Sequence, residues 1–260
     1  MRPVRTVYVI GIGSGDPDHL TLSAVAALQR VDVVFVIDKG EAKEDLVALR
    51  SEILHRHREP GSYRVVEAAD PVRDRSELDR AAYTSAVVDW QDRRGALYAE
   101  MVAGLAEGET GAFLVWGDPA LYDGTLRLLE GLDLRDVHVV SIPGISSVQA
   151  LAAAHRLILN RVGRPILITT GRRIAGGLPA DVDDVVVMLD GNTAFAALPD
   201  AEVADVDIYW GAYVGGPDEI LAAGPVLEVR DEIVRLRAEA RARKGWIMDT
   251  YLLRRRPADR

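Results

Sequence analysis

Short, unbroken apolar runs recur along the chain, and each closes on glycine, aspartate or proline. Val7-Tyr8-Val9-Ile10 is the first, and it stops at Gly11. Runs that are apolar at every position, not at alternate ones, suit strands buried on both faces of a parallel sheet. Between Leu20 and Arg30, residues Leu22, Val25, Ala26, Leu28 and Gln29 fall at helical spacing, and Val33–Ile37 is a second strand ending at Asp38. This is a βαβ unit whose glycine loop lies at the carboxyl end of its first strand, the edge where ligands collect in open α/β sheets.

The next stretch, about 39–100, is highly charged. It predicts helices over Glu44–His57 and Glu77–Leu105, joined by a segment containing Asp70-Pro71-Val72-Arg73-Asp74-Arg75. The sheet resumes at Ala112–Trp116 and stops at Gly117-Asp118-Pro119; a helix through Leu126–Glu130 and a strand at His138–Ile142 follow. Pro143-Gly144 then interrupts regular structure and marks a domain boundary. Residues 1–142 form one α/β domain carrying the charged insertion, and 143–260 form a second. In the second, strands are expected at Ile166–Thr169, Val185–Leu189, Ile208–Tyr213 and Val226–Val229, then a helix over Asp231–Lys244 and a last strand within Trp246–Leu253. Closely spaced late strands imply antiparallel pairs. The fold class is therefore α/β in two domains, the N-terminal sheet mostly parallel and the C-terminal sheet mixed.

Composition narrows the function. With 260 residues and 48% hydrophobic content there is material for two cores. The net charge of −9 argues against a general nucleic-acid binder, which draws affinity from basic surface. No apolar run reaches the roughly 18–20 residues of a membrane span, and the start lacks the apolar stretch of a signal peptide. There is no cysteine, so disulfides, thiolate nucleophiles and cysteine metal sites are excluded, in keeping with a cytoplasmic protein. Lysine stands only at 39, 43 and 244; the remaining basic residues are arginine, whose planar fork suits carboxylates.

The first loop, Gly11-Ile12-Gly13-Ser14-Gly15-Asp16-Pro17, is not a dinucleotide fingerprint. That motif needs a glycine where Asp16 stands, and a carboxylate there repels a pyrophosphate on the helix N-terminus. No Gly-Lys-Ser/Thr follows, so it is not a P-loop either. A ligand without a phosphate chain fits better, and S-adenosylmethionine is one. Taken singly, each loop has a structural explanation: positive-φ glycines in a turn, a tight turn at Gly117–Pro119, and a helix start with a serine cap at 143–147. Taken together, all three follow strands of one inferred sheet.

In order, these stretches resemble the corrin/porphyrin methylase family: GIGSGDPDHLTL from Gly11, WGDPALYD from Trp116 and IPGISSVQ from Ile142, then LITTGRR, VVVMLDGNTAF and WGAYVGGPDE. The resemblance spans nearly the whole chain. Within the family, IDKGEAKEDLVALR, ADPVRDR and KGWIMDTYLLRR are similar to the branch that methylates precorrin-5 at ring carbon C-1 with loss of acetate. The resemblance implies two α/β domains, a homodimer, a tetrapyrrole substrate and S-adenosylmethionine in the interdomain cleft, with S-adenosylhomocysteine as product and no metal. Carried over by position, it gives cofactor contacts at Gly117, Asp118, Ser146, Ser147, Met188, Ala212, Val214, Gly224 and Pro225. Gly13 and Pro17 would face the substrate.

Methyl transfer needs in-line positioning and little acid–base help, whereas acetate release needs water to attack an acyl carbon. Asp16, Asp38 and Tyr122, each at a strand end, are candidate general bases. Lys39, Arg50, Arg73 and Arg75 are candidate clamps for substrate carboxylates. His55 and His57, two apart in a helix, point to different faces and do not make a metal pair. The competing readings are a methylase of the same fold acting on another precorrin position or another acceptor, and a non-catalytic tetrapyrrole-binding protein.

Overall fold

In β1 (Arg5–Gly11) the side chains alternate between two separate cores. Tyr8 and Ile10 enter one, and Val7 and Val9 enter the other. A strand covered on both faces must be apolar at every position, which is why it reads as an unbroken run. The computed structural model describes residues 4–38, 44–71, 80–134 and 136–257. The chain divides into two compact units: the first takes residues up to Gly13 and from Pro17 to Ile145, and the second takes Ser14–Asp16 and everything from Ser146 on.

In the first unit, α1 (Leu22–Leu28), β2 (Val33–Asp38), α2 (Glu44–His57), β3 (Arg64–Ala69), α3 (Arg80–Ala103), β4 (Thr110–Val115), α4 (Thr125–Glu130) and β5 (Val137–Ile142) follow β1. The five strands are all parallel, in the order β3-β2-β4-β1-β5. Ala24, Leu28, Leu49 and Ile53 bring α1 and α2 onto one face; Tyr98, Met101, Val102 and Leu129 bring α3 and α4 onto the other. The sheet is doubly wound.

The second unit contains α5 (Ser147–His155), β6 (Ile166–Thr170), α6 (Gly171–Ile174), β7 (Asp184–Met188), α7 (Asp200–Val203), β8 (Val206–Ala212), β9 (Ile220–Pro225), α8 (Val226–Lys244) and β10 (Asp249–Arg255). Its strand order is β6-β7-β10-β8-β9, with one parallel pair, β6 and β7, and antiparallel pairs elsewhere. The mixed sheet is as expected. Trp210, Tyr251 and Phe195 are its largest buried side chains, with Ile233 and Ala240 of α8 packed onto the same cluster.

Two elements differ from the sequence reading. The charged stretch holds a strand, β3, as well as helices; its RVVEAA sequence is exposed at most positions because β3 lies at the sheet margin. Val226–Val229 is the first turn of α8, and the strand lies just before it at Ile220–Pro225. Proline fixes its own φ near the helical value and needs no hydrogen-bonded N–H, so Pro225 ends one element and begins the other.

Candidate active site

Connections leaving β1 run toward β2, on the side of α1. Those leaving β4 pass to β5 beyond β1, on the side of α4. The carboxyl ends of β1 and β4 are therefore the topological switch point of the first sheet, the place where such sheets take ligands. Here the first and second loops are joined backbone to backbone: the Gly117 N–H donates to Gly13 O at 2.8 Å, with a reciprocal bond at 3.4 Å. Gly13 and Gly117 have φ of 82° and 70°, which favour glycine.

The third loop closes against them. A Cβ on Gly144 would lie 2.1 Å from Gly117 O, and one on Gly11 would lie 2.6 Å from Gly144 N. Asp118 locks the arrangement. One carboxylate oxygen accepts the Gly144 N–H at 2.9 Å and the other the Ala120 N–H at 2.8 Å. Thr21, which caps α1, donates to Pro143 O at 3.2 Å. Gly117 and Asp118 thus have a clear structural function at this edge.

The adjacent serines part company. Ser146 is buried and caps α5: its hydroxyl accepts the Val148 N–H at 3.2 Å, and the Gln149 carboxamide oxygen accepts the Ser146 N–H at 3.1 Å. Ser147 begins the helix half-buried, and its hydroxyl bonds to no group among the described residues.

In the second sheet, register fixes which candidates share an edge. Met188 pairs with Thr170 on one side and Thr250 on the other; Asp249 pairs with Ala212, and Ala212 with Ile220. Met188 and Ala212 therefore lie at the same end. Gly224 and Pro225 do not: they pair with Ile208 and Asp207, toward the opposite end of β8, four and five residues from Ala212, or about 13 and 16 Å at ~3.3 Å per residue. Gly224 instead accommodates Val229, whose Cγ1 would come within 2.8 Å of a Cβ there. Val214 is buried beyond Ala212, and its carbonyl accepts the Ser14 hydroxyl at 3.0 Å. A Cβ on Gly15 would meet Gly216 N at 2.7 Å. The tip of the opening loop, with half-buried Asp16, thus joins the turn after β8, while Pro17 starts a single 3-10 turn in the first unit.

Backbone strain marks the same ends. Tyr122, Leu189, Thr193 and Tyr213 have φ of 50–55°, and each follows β4, β7 or β8. Such conformations persist where surroundings over-determine them and gather at functional sites. Tyr122 is 46% exposed. The Tyr213 hydroxyl donates to Trp246 O at 2.6 Å, and burial raises its pKa.

Asp38 is exposed at the end of β2, separated from β1 by β4. Arg50 projects from α2 to the carboxyl edge of β4. β2 pairs with β4 only as far as Phe35–Phe113, whereas β4 pairs with β1 as far as Val115. Arg50 Nε donates to Leu114 O at 3.1 Å beyond the point where the strands part, and burial lowers its pKa. Its outer side borders a cavity of about 760 Å³ that also touches His55, Arg58 and Tyr63. Lys39, Arg73 and Arg75 lie outside the described residues. Among the described residues no group of three or more His, Asp or Glu side chains is placed to hold a metal, and no helix is long and apolar enough to cross a membrane.

A network the sequence reading missed underlies the edge of Met188 and Ala212. Asp190, buried after β7, accepts the Tyr251 hydroxyl at 2.7 Å, the Ala194 N–H at 2.7 Å and the Asn192 N–H at 3.0 Å. Arg237, buried on α8, donates to Asp190 O at 2.7 Å and to the Asp249 carboxylate at 2.9 Å; Trp210 Nε1 reaches the same carboxylate at 2.9 Å. Burial holds the Asp249 carboxyl above its ordinary pKa, against the pull of Arg237. Burial, then the nearby Asp190 carboxylate, raises the pKa of the Tyr251 phenol as well.

Residues 6–229 match the family model Tetrapyrrole (Corrin/Porphyrin) Methylases. The chain is 46% identical over 256 residues to a precorrin-6A synthase [deacetylating] of Sinorhizobium sp, covering 97% of this chain and 96% of that one. It superposes with a TM-score of 0.81 on the crystal structure of a cobalamin synthesis related protein (CobF) from Corynebacterium diphtheriae, at 37% identity, covering 97% of this chain and 99% of that one. A cobalt precorrin-4 methyltransferase shares the fold at a TM-score of 0.57 and 18% identity, over 95% of this chain and 94% of that one. A family model spanning both units, with near-complete coverage by a relative, places this chain in the tetrapyrrole (corrin/porphyrin) methylase family.

Proposed function

We propose that this protein is an S-adenosylmethionine-dependent C-methyltransferase that converts precorrin-5 to precorrin-6A. In this reading it methylates ring carbon C-1 and adds water to the acyl group that leaves as acetate. The observation that carries it is the 46% identity, over 97% of the chain, to a deacetylating precorrin-6A synthase. The cofactor supplies an electrophilic methyl group on a sulfonium.

The residues present suit such a ligand. At the carboxyl edge of the second sheet, half-buried Met188 and buried Ala212 and Val214 give an apolar rim with backbone polar groups. In the first unit Gly117 and Asp118 give a rigid, side-chain-poor edge. Ser147 offers a hydroxyl that no described residue claims. Gly224 and Pro225, at the other end of β8, are left out of the cofactor set.

Methyl transfer spreads charge already present, so the rim needs to orient and exclude water more than to donate protons. Water addition to the acyl carbon calls for a base. Asp16, Asp38 and Tyr122 remain the candidates, and the strained backbone of Tyr122 favours a role for that loop. Arg50, fixed at the edge of β4, is the described candidate for gripping a substrate carboxylate. We read the protein as a cytoplasmic homodimer that acts on a small tetrapyrrole.

Incubation with enzymatically generated precorrin-5 and labelled S-adenosylmethionine tests the assignment by mass analysis. One methyl gained and one acetate released is the expected result. Methylation without acetate release would move the reaction to another ring position. Asp16→Ala should slow turnover with S-adenosylhomocysteine affinity nearly unchanged, and equal activity in that variant would remove Asp16 from the mechanism.

A further inference from the structure

We propose that Arg237 is a positioning residue for the cofactor, acting through Asp190 and Asp249 on the strand ends that carry Met188 and Ala212. The inference rests on the cofactor reading above. Arg237 is 8% exposed and comes from the inward face of α8, 47 residues from Asp190 and 12 from Asp249. Its Nη2 holds the Asp190 carbonyl at 2.7 Å and its Nε the Asp249 carboxylate at 2.9 Å.

Each contact bears on a rim residue. Asp190 follows Met188 by two positions, and its carboxylate ties down Asn192, Ala194 and Tyr251. The same carboxylate lies so close to Gly171 that a Cβ there would sit 2.3 Å from it, which fixes the end of β6 as well. Asp249 pairs directly with Ala212.

The turn between them is strained: Leu189 and Thr193 have φ of 53° and 54°. Leu189 is 64% exposed, so packing of its side chain does not impose this conformation. Bonds to Asp190 from both backbone and side chain do. A buried Arg237–Asp249 ion pair, with the Asp190 carboxylate buried nearby on other donors, is a costly way to build a core that apolar residues could fill. That cost is intelligible where loop geometry must be held to a fraction of an ångström.

The test separates positioning from mere stability. Arg237→Lys keeps the charge but lacks the planar fork that reaches both partners. It should fold and bind S-adenosylhomocysteine about tenfold more weakly by calorimetry. The double variant Arg237→Met/Asp249→Leu replaces the ion pair with apolar groups and should recover most of the thermal stability lost in Arg237→Met. It leaves Asp190 O without its donor, so the affinity should stay low, and KM for S-adenosylmethionine should rise more than kcat falls. Wild-type affinity in Arg237→Lys, or affinity that returns together with stability in the double variant, would overturn the proposal. Should the double variant not fold, Arg237→Lys decides alone. No binding of S-adenosylhomocysteine by the wild-type chain would remove this inference together with the cofactor reading beneath it.

Discussion

The carboxyl edges of the two sheets are held by opposite means. In the first unit three loops meet through bare backbone, with no room for a side chain on Gly11 or Gly144 beside the Gly117 carbonyl, and one carboxylate, Asp118, clasps the junction. In the second unit the edge rests on bulky, buried polar side chains: Asp190, Arg237, Asp249, Tyr251 and Trp210. A parallel sheet with adjacent loops can dispense with side chains at the crossing. A mixed sheet whose edge combines strand starts and strand ends has no such common crossing, and it ties its loops from below.

The sharpest way to break this contrast is to remove the guanidinium. Arg237→Met leaves Asp249 as an uncompensated buried charge and should cost about 3–5 kcal/mol in urea denaturation. The pH dependence gives the sign. Burial already raises the folded-state pKa of Asp249, so the folded state binds more protons than the unfolded chain between the two pKa values. Loss of Arg237 widens that window upward. The deficit of the variant should therefore shrink as pH falls from neutral toward the ordinary carboxylate range, and a constant deficit would show that Asp249 is not its source.

Gly144→Ala attacks the other edge. A Cβ 2.1 Å from a carbonyl oxygen cannot be absorbed by a rotamer change, and a loss of about 3 kcal/mol is expected, with no pH dependence of its own. A loss typical of an exposed turn would mean that the junction opens freely. The serines give the smallest effect and the finest test. Ser146→Ala should cost about 1 kcal/mol as a lost cap. Ser147→Ala should leave stability unchanged while weakening S-adenosylhomocysteine binding; the reverse pattern would exchange their roles.

The same contrast explains what was legible. The glycine junction is local: each loop follows an unbroken apolar run, and Gly, Asp and Pro announce the turn within a few residues. β1, β2, β4 and β5 were readable for that reason, as was the serine cap of α5. β3 was hidden because a marginal strand buries too little to look apolar; Arg64 and Glu67 break its pattern. The exchange of strand and helix around Pro225 came from β-branched Val226 and Val229, which favour strands locally but here form the inward face of a helix. The polar network was invisible because its members stand at 190, 210, 237, 249 and 251, and nothing along the chain relates Arg237 to Asp190 before the fold joins them. Gly224 and Pro225 were grouped with Ala212 by motif order, which carries no register; the antiparallel turn of β9 sends them to the far end.

The hydrogen bond from Ser14 to Val214 spans 200 residues, and it sets a schedule for the growing chain. As the chain leaves the ribosome, β1 emerges first, yet its loop lacks its final neighbours until the turn at 213–216 has been made. A C-terminally truncated product can build most of the first sheet. It cannot finish the opening loop, because the carbonyl that accepts the Ser14 hydroxyl and the turn that packs on Gly15 are made only near the end of synthesis.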